Sequence, residues 1–115
     1  MPDIIVIKQF RLRKDKPKTE WLKADEQTDA WIKRQPGFLF RCLSETAEGE
    51  WFAVEYWSSI EAVKAAEENY REKLEGLIVP FIEMSSFTAR RSKAQVIRQS
   101  CSAYPEQNVI CFIDT

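Results

Sequence analysis

Residues 4–13 open with β-branched residues and then alternate. Ile4, Val6, Phe10 and Leu12 fall on one face with Lys8 among them, and Ile5, Ile7, Gln9, Arg11 and Arg13 fall on the other. A period of two predicts a strand with one well-buried face and one mixed face. A basic loop with Pro17 follows and suits a helix start. From residue 19 to 34 the spacing is helical: Trp21, Ala24, Thr28 and Trp31 form one stripe, and Leu22 and Ile32 widen it. Gln35-Pro36-Gly37 ends this helix, because proline disfavours helix in the residue before it and glycine tolerates the turn.

Residues 38–46 and 50–57 read as two strands joined by the short Gly49-containing loop, hence an antiparallel hairpin. Alternation puts Phe38, Phe40 and Cys42 on one face and Leu39, Arg41 and Leu43 on the other. On the second strand Phe52, Val54 and Tyr56 oppose Trp51, Ala53, Glu55 and Trp57. Ser58 with Glu61 three residues on predicts a capping box. Ile60, Val63, Ala66, Tyr70, Leu74 and Leu77 then recur at three or four residues, a second amphipathic helix that Gly76 breaks or bends. A short helical turn with Pro80 is expected in residues 77–84, and a fourth strand at 86–91, where only Phe87 and Ala89 are apolar.

The predicted order is β, α, β, β, α, β. That is the α+β, ferredoxin-like split βαβ arrangement, with two helices covering one face of an antiparallel sheet. The other face carries apolar residues and needs a cover. A second copy of the same sheet is the simplest one, so a homodimer is expected. The basic unit spans residues 1–91, and residues 92–115 form a C-terminal extension. Residues 109–113 are all apolar, so the segment 108–113 is expected to dock as one more strand on a sheet edge of its own subunit or of the partner.

The chain has 115 residues, the size of one domain. Seventeen Lys and Arg against 18 Asp and Glu leave a net charge of −1, which gives no electrostatic reason to expect nucleic acid or an anionic membrane as partner. The apolar run 4–7 is too short for a secretory signal or a membrane span, and a cytoplasmic location is expected. Cys42, Cys101 and Cys111 are odd in number and widely spaced, neither a disulfide framework nor a zinc signature. They are expected to be reduced, with Cys42 as a small buried apolar residue. The chain has no histidine. That removes the commonest general base, the Ser-His and Cys-His nucleophile pairs and histidine-ligated haem or zinc. No metal site is expected.

Gln35-Pro36-Gly37-Phe38 and the run Glu55-Tyr56-Trp57-Ser58-Ser59-Ile60-Glu61-Ala62-Val63-Lys64-Ala65, together with Phe81 and the strand after it, resemble the antibiotic biosynthesis monooxygenase (ABM) domain family. The resemblance covers residues 3–91. It implies a ferredoxin-like domain whose sheets pair into a dimeric α/β barrel. It also implies a cofactor-independent monooxygenase that oxidises an aromatic, anthrone- or quinol-like substrate without metal or flavin. The matched residues are mostly turn, cap and packing residues, so they mark a fold more than a reaction. Two other readings stand on the same fold: a non-catalytic dimeric module that binds an apolar or aromatic ligand, and an isomerase or cyclase.

The resemblance implies an aromatic-lined pocket between sheet and helices, where a substrate proton is removed and negative charge is stabilised. Arg41, in an otherwise apolar strand, is a candidate to stabilise an enolate or phenolate, or else the cross-strand ion-pair partner of Glu55. Glu55 is the candidate base, and Tyr70 a candidate to point its hydroxyl into the pocket. Arg11, Trp51, Tyr56 and Trp57 are candidate substrate-binding residues. Trp21 and Trp31 read as core.

Overall fold

The computed structural model describes residues 3–98. Strand β1 is Ile4–Leu12, helix α1 Lys18–Ile32, β2 Phe38–Glu45, β3 Glu50–Trp57 and α2 Ile60–Lys73; a short helix α3, Glu75–Ile78, and one 3-10 turn, Val79–Phe81, lead into β4, Ile82–Lys93. The four strands form one antiparallel sheet in the order β2-β3-β1-β4. This is the ferredoxin-like α+β fold that the alternation and helical spacing predicted. No helix among the described residues is long and apolar enough to cross a membrane.

The alternating strands sort as expected. Ile4, Val6 and Phe10 of β1 and Trp51, Ala53, Glu55 and Trp57 of β3 are buried under the helices. From α1 come Trp21, Ala24, Thr28, Trp31 and Ile32. Leu22, expected to widen that stripe, is exposed instead. At roughly 100° per residue it sits one step round from Trp21, on the solvent side.

Four local expectations are corrected. The N-cap of α2 is Ser59, whose hydroxyl accepts from the Ala62 amide at 3.1 Å. Ser58 lies one residue earlier, and its amide donates to the Gly37 carbonyl at 2.8 Å. That close approach explains Gly37: its φ is +84°, and a Cβ there would lie 2.6 Å from Ala62 Cβ. Secondly, β2 carries a bulge. Phe38 opposes Trp57 and Phe40 opposes Tyr56, so Leu39 is the extra residue and Phe38 and Phe40 face opposite ways. Phe38 stacks edge-on against Trp57 at 5.4 Å, under the helices, while Phe40 meets Tyr56 at 5.7 Å on the open face. Thirdly, β4 begins at Ile82 rather than Ser86. Its register against β1 shifts between Gln9 and Arg11, where Gln9 faces Thr88 and Arg11 faces Glu83. The looped-out residues break the alternation, which hides the strand's first half from a period-of-two reading. Finally, Cys42 is exposed on the open face rather than buried.

The core falls into two clusters. One gathers Ile4, Val6, Trp31, Ile32, Trp57, Val63, Ala66 and Leu74; the other gathers Phe10, Trp21, Ala24, Trp51, Ile78 and Ile82. Tyr70 and Leu77 pack against both. Among the described residues nothing covers the far face of the sheet, and Ile7 and Phe40 on it are 37% and 49% exposed. The expected strand at 108–113 lies outside the described residues.

Candidate functional site

Between the two core clusters lies a cavity of about 100 Å³. Helix α1 contributes Trp21, Asp25, Thr28 and Ile32, which at steps of four, three and four residues share one helical face. The sheet contributes Lys8 and Phe10 from β1, Ala53, Glu55 and Trp57 from β3, Arg41 from β2 and Phe87 from β4. Helix α2 closes it with Val63, Ala66, Glu67 and Tyr70. The walls are mostly apolar and aromatic, and five charged side chains line them: Lys8, Arg41 and Glu55 from the sheet, Asp25 from α1 and Glu67 from α2.

Arg41 makes a two-pronged ion pair with Asp25, at 2.6 and 3.1 Å, and both side chains are largely withdrawn from solvent. Burial works against the guanidinium charge, but the hydrogen bond and charge of Asp25 outweigh it and hold the Arg41 pKa above its ordinary value. The register does place Arg41 opposite Glu55, as expected. The cross-strand ion pair does not form, because Asp25 on the overlying helix offers both oxygens to the planar guanidinium fork. Glu55, only 5% exposed, is held from other directions. Its Oε2 lies 3.4 Å from Lys8 Nζ, and its Oε1 accepts from Trp57 Nε1 at 3.0 Å. Lys8 Nζ also sits 5.3 Å from the Tyr70 ring centre. Burial, with the negative charges of Glu75 and Glu55, pushes the Tyr70 pKa up to about 12. Tyr70 is therefore a neutral phenol at physiological pH, able to donate a hydrogen bond.

Of the residues singled out in the sequence, Arg41, Glu55, Tyr70 and Trp57 line this cavity. Trp51 shares their sheet face but is buried in the second cluster, against Trp21 at 6.0 Å. Tyr56 is on the opposite face against Phe40. Arg11 is exposed, and its Nη1 donates to the Glu48 carbonyl at 2.9 Å. Asp25, Thr28 and Lys8 were not singled out as site residues. Their signal was present: each is a polar or charged residue on an otherwise buried face. Among the described residues no three His, Cys, Asp or Glu side chains converge to hold a metal ion.

Two predictions follow from this geometry. Replacing Arg41 by Met strands the Asp25 carboxylate and is expected to cost about 3 kcal/mol in urea unfolding, whereas Asp25→Leu with Arg41→Met recovers most of it. Equal losses in the single and double variants would show that the pair is not coupled. The raised Tyr70 pKa means that its contribution to stability is complete below about pH 10 and is lost as pH rises through about 12. Ultraviolet titration of Tyr70→Phe against the parent is expected to lack one phenolate transition near 12; loss of a transition near 10 would contradict the burial of this hydroxyl.

No protein-family model matches this sequence, and no curated protein matches it. Solved structures do. A SnoaB variant from Streptomyces nogalater, described as a cofactor-independent oxygenase, is 17% identical, with 85% of this chain and 95% of that one covered at a TM-score of 0.62. A candidate antibiotic biosynthesis monooxygenase from Bordetella bronchiseptica is 12% identical, with 84% and 100% covered at a TM-score of 0.70. Another from Caulobacter crescentus is 21% identical, with 84% and 92% covered at 0.65. At such identities the likeness lies in the fold: this chain has the ferredoxin-like fold of the structures that carry the antibiotic biosynthesis monooxygenase name.

Proposed function

We propose that the protein is a cofactor-independent monooxygenase of a small aromatic substrate, acting in the cavity beneath its helices. The observation that carries this reading is the meeting of Arg41, Glu55, Lys8 and neutral Tyr70 inside an aromatic-walled cavity. The overall reaction converts a CH₂ carbon of the substrate, or of its keto tautomer, and O₂ into a carbonyl and water. Glu55 takes the first proton, with Lys8 beside it balancing charge. The Arg41 guanidinium and the Tyr70 O–H stabilise the oxygen of the resulting anion. The anion gives one electron to O₂, and the two radicals join as a peroxide on that carbon. The O–O bond then breaks as the carbon loses its remaining hydrogen. One oxygen atom stays as the carbonyl and the other leaves as water. The electrons come from the substrate, so the chemistry needs no metal or flavin. Trp57 contributes to the aromatic wall, whereas Arg11, Trp51 and Tyr56 have no part in this pocket.

One observation favours a rival reading, a ligand-binding module without catalysis. Both oxygens of Asp25 and both of Glu55 already face donors within the site, so Glu55 acts as a base only by giving up its contact with Lys8 or Trp57. Oxygen uptake with a panel of one- to three-ring phenols, hydroquinones and anthrones separates the two. Turnover is expected, and Glu55→Gln is expected to lower kcat by about 100-fold with a smaller effect on KM. Binding without oxygen uptake across the panel would establish the module instead.

The proposal extends to assembly. The uncovered sheet face, with Ile7, Phe40 and Tyr56 on it, is read as the seam of a homodimer. Light scattering at micromolar concentration is expected to give twice the chain's mass, and Phe40→Lys to shift it toward one. A stable wild-type monomer would sink this part.

A further inference from the structure

Among the described residues three buried side-chain polar atoms have no hydrogen-bond partner: Trp21 Nε1, Thr28 Oγ1 and Arg41 Nε. Trp21 and Thr28 are 2% and 8% exposed. All three residues line the one cavity already described. Buried polar groups are nearly always satisfied, so three exceptions around a single cavity point to something that belongs inside it. Their chemistry narrows what that is. The indole N–H and the guanidinium Nε–H can only donate, and the threonine hydroxyl does either. The cavity therefore calls for acceptor oxygens.

Charge narrows it further. Every charged side chain on the wall has an opposite partner: Arg41 with Asp25, Lys8 with Glu55, and Glu67 with Arg91 of β4. No unspent positive charge is available for a carboxylate or phosphate, so the acceptors are those of a carbonyl or phenolic oxygen. Size narrows it again. The cavity is about 100 Å³, and an apolar cavity of about 150 Å³ takes benzene. The space is smaller than that, so one ring already fills it, and two or three fused rings would have to displace wall side chains.

We infer that the cavity is a site for a single-ring oxygenated aromatic, a phenol, hydroquinone or benzoquinone, whose oxygens satisfy Trp21, Thr28 and Arg41. This rests on the reading of the cavity as the ligand site and adds to it the ligand's size, its neutrality and two recognition residues on α1. It also assigns a purpose to polar groups that cost stability while the site is unfilled.

The test is binding, followed by tryptophan fluorescence and calorimetry on the full chain, with phenol, 1-naphthol, 9-hydroxyphenanthrene and toluene. Phenol is expected to bind at least about tenfold more tightly than toluene, which offers no acceptor, and than 9-hydroxyphenanthrene. Thr28→Val keeps the packing volume and removes one polar group, whereas Trp21→Phe removes the indole N–H together with part of the ring's volume. Each is expected to lower the preference for phenol over toluene by about fivefold or more, and in Thr28→Val toluene binding itself is expected to stay nearly unchanged. Thr28→Val is also expected to melt no lower than the parent without ligand, since it removes an unpaired hydroxyl. Unchanged phenol binding in both variants would overturn the role of these atoms. Tightest binding of 9-hydroxyphenanthrene would overturn the single-ring assignment and leave the ligand site standing. No binding of any of the four would remove the ligand site itself, and with it the proposed function.

Discussion

The Asp25–Arg41 ion pair joins an edge strand of the sheet to the helix above it, through the interior. An ion pair in such a place is a weak source of net stability, because desolvating two charges offsets most of their attraction. Its effect is geometric. A guanidinium fork held on a carboxylate fixes the separation of α1 and β2, where two apolar side chains would let the layers close. The second pair, Lys8 with Glu55, stands on neighbouring strands of the same face. Together they hold polar volume in the middle of the helix-sheet interface. The core is split as a result, with one cluster around Trp57 and Trp31, the other around Trp21 and Trp51, and the cavity between them.

The fold was legible wherever periodicity was unbroken. β1 and β3 alternate without interruption, and their buried faces are those that alternation assigns. It failed where an extra residue shifts the phase. Leu39 bulges from β2 and sends Phe38 to the core, and the irregular stretch of β4 opposite Phe10 conceals that strand's beginning. One displaced residue inverts every later facing, so bulges are the natural blind spot of a period-of-two reading.

The site was legible in parity but not in position. Alternation puts Trp51, Glu55 and Trp57 on one face, yet six residues of strand separate the two tryptophans by roughly 20 Å. At the Trp51 end the cavity is lined by Phe10 and Trp21, which pack against Trp51 and cover it. Tyr56 and Arg11, named as candidate binding residues from the sequence, stand on the opposite parity and lie outside the cavity. Arg41 with Asp25 was out of reach for another reason: the pair joins a strand to a helix sixteen residues earlier in the chain, and no local spacing carries that contact. Register alone pointed Arg41 at Glu55. What decides between them is that a helix-borne carboxylate can present both oxygens, while Glu55 is already claimed by Lys8 and Trp57.

Thr28 and Trp21 bear on function independently of any relative. Valine would fill the space of Thr28 with no buried polar atom to satisfy, so packing alone gives no reason for the hydroxyl, and the packing of the Trp21 ring on Phe10 and Trp51 does not itself use the indole nitrogen. A third such atom belongs to Arg41, whose two terminal nitrogens each donate to Asp25. A fold needing only a solid core would gain by removing all three. The residues that carry them all line one aromatic-walled space, an arrangement that a binding site uses and a packed interior avoids, and this is the ground on which the proposed ligand site rests.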